Sequence, residues 1–120
     1  MEYSASTSGV SRNPAGCRQV DSAQAQELIL NQNAMVVDVR EPHEYAAGRI
    51  PNAKSIPLRQ IGLHIESLKQ HSDRPIILSC RTGSRSEMAC RFLSESGLEN
   101  IYNLASGLMG WQSANLSVTL

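Results

Sequence analysis

The chain has 120 residues, enough for one domain and too few for two ordinary ones. Its 41% hydrophobic and 18% charged residues suit a globular fold with a true core, and folding at this size removes roughly two-thirds of the unfolded surface from water. Eleven basic side chains balance eleven acidic ones; nucleic acid and anionic membranes both call for a basic surplus, so neither is expected as a partner.

Cys17, Cys80 and Cys90 are the only cysteines. An odd, sparse set without paired spacing is poor material for a disulfide framework and points to the reducing cytoplasm. No C-x-x-C pair occurs and His43, His64 and His71 are scattered, so no metal or cofactor is expected. Residues 1–16, rich in Ser, Ala, Thr and Gly, lack the apolar run of a secretory signal, and no segment is apolar enough to span a bilayer. They are expected to form a flexible tail, with the ordered domain covering 17–120 and Cys17 at its exposed edge.

Order begins near Arg18. Asp21 and Gln24 make a capping box ahead of a helix carrying Ala25, Leu28 and Ile29, which ends at Asn31–Asn33. Met35–Val39 is a short, nearly unbroken apolar run, the pattern of a strand covered on both faces. Pro42 opens a short helix that stops by Gly48. Residues 53–56 predict a short strand closed by Pro57; Leu58, Ile61, Ile65 and Leu68 predict an amphipathic helix, weakened by Gly62. Pro75–Ser79 is a second buried strand. Ser84 and Glu87 form a second capping box, starting a helix whose apolar face is Met88, Ala89, Phe92 and Leu93 and which ends at Gly97. Residues 100–104 predict a last strand and 110–114 a closing helix. Alternating strands and helices imply an α/β domain: a central parallel sheet of about five strands with helices on both faces, three layers in all.

Ligands in such sheets bind beyond the carboxyl ends of the strands, and the residue after Ser79 is Cys80. The segment Cys80-Arg81-Thr82-Gly83-Ser84-Arg85-Ser86 runs from a strand end to a helix start. Consecutive amides in such a turn converge into an anion-binding nest, to which the helix adds its dipole and unpaired first-turn donors. Arg81 and Arg85 bring positive charge, and Thr82, Ser84 and Ser86 bring hydroxyls. A thiol held there ionises more readily, and the thiolate is the nucleophile. The alternative is that Cys80 is an ordinary buried core cysteine; its place ahead of a Gly-containing loop favours the chemical role.

That loop resembles the active-site loop of the rhodanese family. So does the order of the flanking motifs: residues 37–45, reading Val-Asp-Val-Arg-Glu-Pro-His-Glu-Tyr; Gly48-Arg49-Ile50-Pro51-Asn52-Ala53; and Leu104-Ala105-Ser106-Gly107 with Trp111. The match runs from about Val20 to Trp111. It departs at Arg49, where the family usually has His, and at Ser106-Gly107, where it has a Gly pair; Arg49 would place a positive charge near the site mouth. The resemblance implies a sulfurtransferase in which Cys80 takes sulfane sulfur from thiosulfate or a similar small anionic donor and passes it as a persulfide to a thiophilic acceptor such as cyanide or a thiol. Residues 81–86 would hold the persulfide, with Asp38, Arg40 and Arg49 in support.

Three other readings share parts of the pattern. A cysteine phosphatase or arsenate reductase has five residues between Cys and Arg, where this chain has four, Arg81 to Ser84, and no candidate acid follows the loop to protonate a leaving alkoxide. A purely interacting rhodanese-like module usually lacks the cysteine. A relay carrier would use the same Cys80 with a protein as sulfur acceptor. Glu44, with Asp38 and Arg40, is expected to fix loops around the site; Trp111 to be core; Cys90 to be structural.

Overall fold

The computed structural model describes residues 11–12 and 16–120. In chain order it contains β1 (Ser11–Arg12), β2 (Arg18–Val20), α1 (Ser22–Gln32), β3 (Met35–Asp38), α2 (Pro42–Ala47) and β4 (Lys54–Ser55). A 3-10 helix (Leu58–His64), α3 (Ile65–Lys69), β5 (Ile76–Ser79), α4 (Ser84–Glu95), β6 (Ile101–Leu104) and α5 (Gly107–Ser113) follow. The strands form one sheet in the order β1-β2-β6-β5-β3-β4, parallel from β2 to β4, with β1 antiparallel at its edge. Most of the expected N-terminal tail lies outside the described residues; where it is described, Ser11 and Arg12 pair with Gln19 and Arg18.

The strand residues divide by alternation between two cores, as the period of a covered sheet requires. Met35, Val37, Val39, Ile76, Leu78 and Cys80 face one cluster with Ala89 and Leu93 of α4. Val36, Ile77, Tyr102 and Leu104 face the other with Ala25, Leu108 and Trp111. The three-layer α/β architecture is therefore as expected. Helix α1 carries its capping box, the Gln24 amide donating to Asp21 Oδ1 and the Asp21 amide to Gln24 Oε1, both at 2.8 Å, and it ends at Asn33 in the left-handed conformation.

Four local expectations change. The helix over 58–68 divides into the 3-10 stretch and α3, because Gly62 sits in a segment too weak in helix propensity to hold α geometry throughout. The Ser84–Glu87 capping box does not form: α4 starts at Ser84 with Gly83 as its cap, since Gly83 is recruited into the loop below. The buried face of α4 is Ser86, Ala89, Cys90 and Leu93, while Met88 and Phe92 stay 63% and 42% exposed. Helix α5 begins at Gly107, ahead of the expected start.

The rotation of α4 has a covalent counterpart. Cys17 and Cys90 form a disulfide across a sequence separation of 73, with Cα atoms 5.6 Å apart and both residues fully buried. Cys17 is thus neither exposed nor free, and the argument from cysteine usage for a reducing compartment loses its premise. Spacing could not reveal the pair. Its partners meet only because β2 aligns with β6 while α4 packs over β5 and β6, which brings the segment entering β2 alongside the middle of α4. Among the described residues no helix is long and apolar enough to cross a membrane.

Closing a loop of this length restricts the unfolded chain and stabilises the fold by about 4 kcal/mol in the chain-entropy account. Reduction, or Cys17→Ser, should therefore lower the midpoint of urea unfolding substantially, with a steeper slope as the released unfolded chain exposes more surface. Equal midpoints with and without reductant would count against a structural disulfide.

Candidate active site

Cys80 is the last residue contributed by the β5 side of the first core and is 1% exposed. Its sulfur closes the apolar cluster on one side and meets polar donors on the other. The Gly83 amide donates to Sγ at 3.1 Å, and the Ser86 hydroxyl lies 3.3 Å from Sγ and 3.2 Å from the Gly83 carbonyl, free to donate to either. Burial pushes the thiol pKa up; the Ser86 hydroxyl and the amides of Ser86, Gly83 and Thr82 outweigh it, and the net direction is downward from the ordinary cysteine value. The loop is an amide cradle around the sulfur.

What holds the cradle open is the start of α5. The Leu108 amide donates to the Cys80 carbonyl at 2.9 Å and the Met109 amide to the Arg81 carbonyl at 3.1 Å. The C=O and N–H of a trans peptide point in opposite directions, so tying the Arg81 carbonyl outward turns the Thr82 N–H inward. Two glycines permit this contact. Gly83, at φ 109°, would drive a Cβ to 2.1 Å from the Ala105 carbonyl oxygen; Gly107, at φ 62°, would drive one to 2.4 Å from that of Arg81. The side-chain Nδ2 of Asn103 on β6 donates to the Gly83 carbonyl at 3.2 Å.

The polar residues of the site divide into three groups. Arg81, Thr82 and Ser84 are exposed on the loop. Arg85 is not a free cation: its guanidinium is held by both oxygens of Glu44, at 2.8 and 3.0 Å. Those bonds pull the Glu44 carboxyl down to about 2, against the opposing effect of burial, and Glu44 in turn raises Arg85. Asp38 and Arg40 form a buried pair, with Nη2 to Oδ2 at 2.7 Å, and Arg40 also donates to the Gly48 carbonyl at 2.7 Å; they fasten the end of β3 to the end of α2.

Arg49 is engaged elsewhere. It stacks on the Tyr45 ring at 4.6 Å, its side chain donates to the carbonyls of Tyr45 and Leu120, and its backbone bridges Thr119. Trp111 is core, its indole N–H donating to the Ser117 carbonyl. The part played by residues 105–109 is not evident from the sequence; the glycine at 107, whose φ of 62° and closeness to the Arg81 carbonyl the contact requires, is the available signal.

A parallel α/β sheet with a cysteine cradle beyond a central strand defines a class: domains that do thiolate chemistry on a strand-to-helix loop. The comparisons narrow it. Residues 21–114 match the model of the rhodanese-like domain. A sulfurtransferase of Allochromatium vinosum is 32% identical over 101 residues, covering 83% of this chain and 92% of its own. A thiosulfate sulfurtransferase of Pseudoalteromonas translucida is 30% identical, covering 81% and 90%. The crystal structure of a rhodanese-related protein from Thermoplasma volcanium superposes with a TM-score of 0.71 at 34% identity, covering 85% of this chain and 97% of that one. The chain belongs to the rhodanese family.

Ser86 offers a direct check on the cradle. A hydrogen bond to a charged group contributes on the order of 1.5–3 kcal/mol, so Ser86→Ala should slow alkylation of Cys80 by iodoacetamide at neutral pH about tenfold or more and move its pH profile upward. An unchanged profile would remove Ser86 from the site.

Proposed function

We propose that this protein is a sulfurtransferase that carries sulfane sulfur on Cys80. The observation that carries the reading is the set of donors converging on one buried sulfur: the Gly83 amide at 3.1 Å, the Ser86 hydroxyl at 3.3 Å, and the amides of Thr82 and Ser86, which together favour the thiolate. Relatives of nearly full length named as sulfurtransferases support the same chemistry.

In the proposed cycle the Cys80 thiolate attacks the outer sulfur of thiosulfate or a similar donor. A sulfur–sulfur bond forms on Cys80 as the donor's own sulfur–sulfur bond breaks, and sulfite departs with the electron pair. The persulfide carries the same single negative charge as the thiolate it replaces, so the same amides serve both states and no proton must move. An acceptor such as cyanide then attacks the terminal sulfur, leaves as thiocyanate, and returns the thiolate: a ping-pong, covalent-intermediate scheme. Exposed Arg81 is assigned to draw in the anionic donor, with the Thr82 and Ser84 hydroxyls beside it. Asp38 and Arg40 act by holding the surrounding backbone.

Mass spectrometry of the intact protein after thiosulfate treatment tests this. The wild-type chain should gain the mass of one sulfur atom and lose it on addition of cyanide, and Cys80→Ser should gain none. Sulfur transfer persisting in Cys80→Ser would refute the assignment.

A further inference from the structure

Arg85 stands one residue inside α4, next to the cradle, and its charge is felt at Cys80. A guanidinium in that place presents two parallel N–H groups, the geometry that grips two oxygens of a tetrahedral oxyanion. Here both are taken. Glu44 reaches across from α2 and meets Nη1 with Oε1 at 2.8 Å and Nη2 with Oε2 at 3.0 Å, an end-on carboxylate occupying the fork as a bound oxyanion would.

We propose that Glu44 is a specificity-determining residue: its carboxylate is a resident anion that fills the Arg85 fork and thereby weakens the binding of phosphate, sulfate and their esters at the cradle, while the outer sulfur of a donor drawn in by Arg81 still meets the loop amides. The inference rests on reading the cradle as a sulfur carrier's site. It accounts for how a loop rich in donors and cations can avoid being blocked by oxyanions such as inorganic phosphate. The amides hold a singly charged sulfur without a guanidinium, whereas a bidentate guanidinium strengthens the hold on a tetrahedral oxyanion.

Glu44 has a second task, separable from the first. Its Oε1 accepts the Glu41 amide at 2.9 Å, closing the capping box of α2. Glutamine serves equally at that capping position but lacks the charge and second acceptor oxygen that bind Arg85. Glu44→Gln therefore keeps the cap and releases the fork.

The test is protection of Cys80 from iodoacetamide, a neutral reagent, by inorganic phosphate and by sulfate. Protection of Glu44→Gln should be half-maximal at a concentration about tenfold or more below that needed by the wild type, the gain expected of one freed bidentate contact. The double variant Glu44→Gln/Arg85→Gln should lose that gain, and Glu44→Asp, which keeps a carboxylate, should stay near wild type. Glu44→Ala is a second charge-removing variant should the glutamine form fold poorly, and thermal unfolding identifies which variants are native. No gain in any folded charge-removing variant, or a gain that survives loss of Arg85, would overturn the proposal. The sulfur-uptake experiment reads the other claim separately: oxyanion gain without sulfur uptake would sink the carrier reading alone, and uptake without the gain would sink the role of Glu44 alone.

Discussion

The structure depends on two hydrogen bonds that do not touch the sulfur. By donating to the carbonyls of Cys80 and Arg81, the first amides of α5 set which way the loop peptides face. Carbonyls turned outward leave N–H groups turned inward, and a buried sulfur surrounded by inward N–H groups is stabilised as an anion rather than penalised as one. Burial alone would have the opposite effect on a thiol. The cradle is thus a property of the contact between two helix starts, α4 and α5, made possible because glycine stands on each side of it, at 83 and 107.

The sheet supplies the fixed frame for that contact. β5 lies between β3 and β6, so Cys80 emerges with the end of β3 on one side and the β6–α5 turn on the other. The Ser79 carbonyl accepts the Val39 amide at 2.9 Å, and the Ala105 amide donates to the Val20 carbonyl at 2.9 Å, tying the end of β3 to that of β5 and the end of β6 to that of β2. From beneath, the Cys17–Cys90 disulfide anchors α4 two helical turns after its start. Charges around the rim act on alignment: Asp38–Arg40 holds β3 to the end of α2, and Glu44–Arg85 holds α2 to α4.

Much of this was legible in the sequence because it is written in local signals. The period-2 division of Val36 from Met35 and Val37, the Asp21–Gln24 box, and the strand–Cys–Gly–helix order each depend on residues within a few positions of one another. What was not legible depends on tertiary neighbours. Cys17 and Cys90 are joined by the β2–β6 register, which no spacing rule encodes. The orientation of α4 was misjudged because Met88 and Phe92 satisfy helical periodicity as well as Ser86 and Cys90 do. Hydrophobicity alone ranked the wrong pair inward, and the polar Ser86 is buried because it serves the sulfur. Arg85 reads in the sequence as positive charge for the loop, since nothing local announces that Glu44 on another helix is its partner. Arg49 was placed at the site mouth by position in a motif, and its actual partners are the Tyr45 ring and the C-terminal backbone.

The central claim is that the loop amides and the Ser86 hydroxyl hold Cys80 as a thiolate in spite of its burial. A carbon-13 NMR titration of the Cys80 Cβ in the native, disulfide-intact protein measures this directly. The thiol should ionise below the range of an ordinary free cysteine, as a single titration that disappears in Cys80→Ser. An ionisation at or above that range would mean that desolvation dominates and that the cradle does not activate the sulfur.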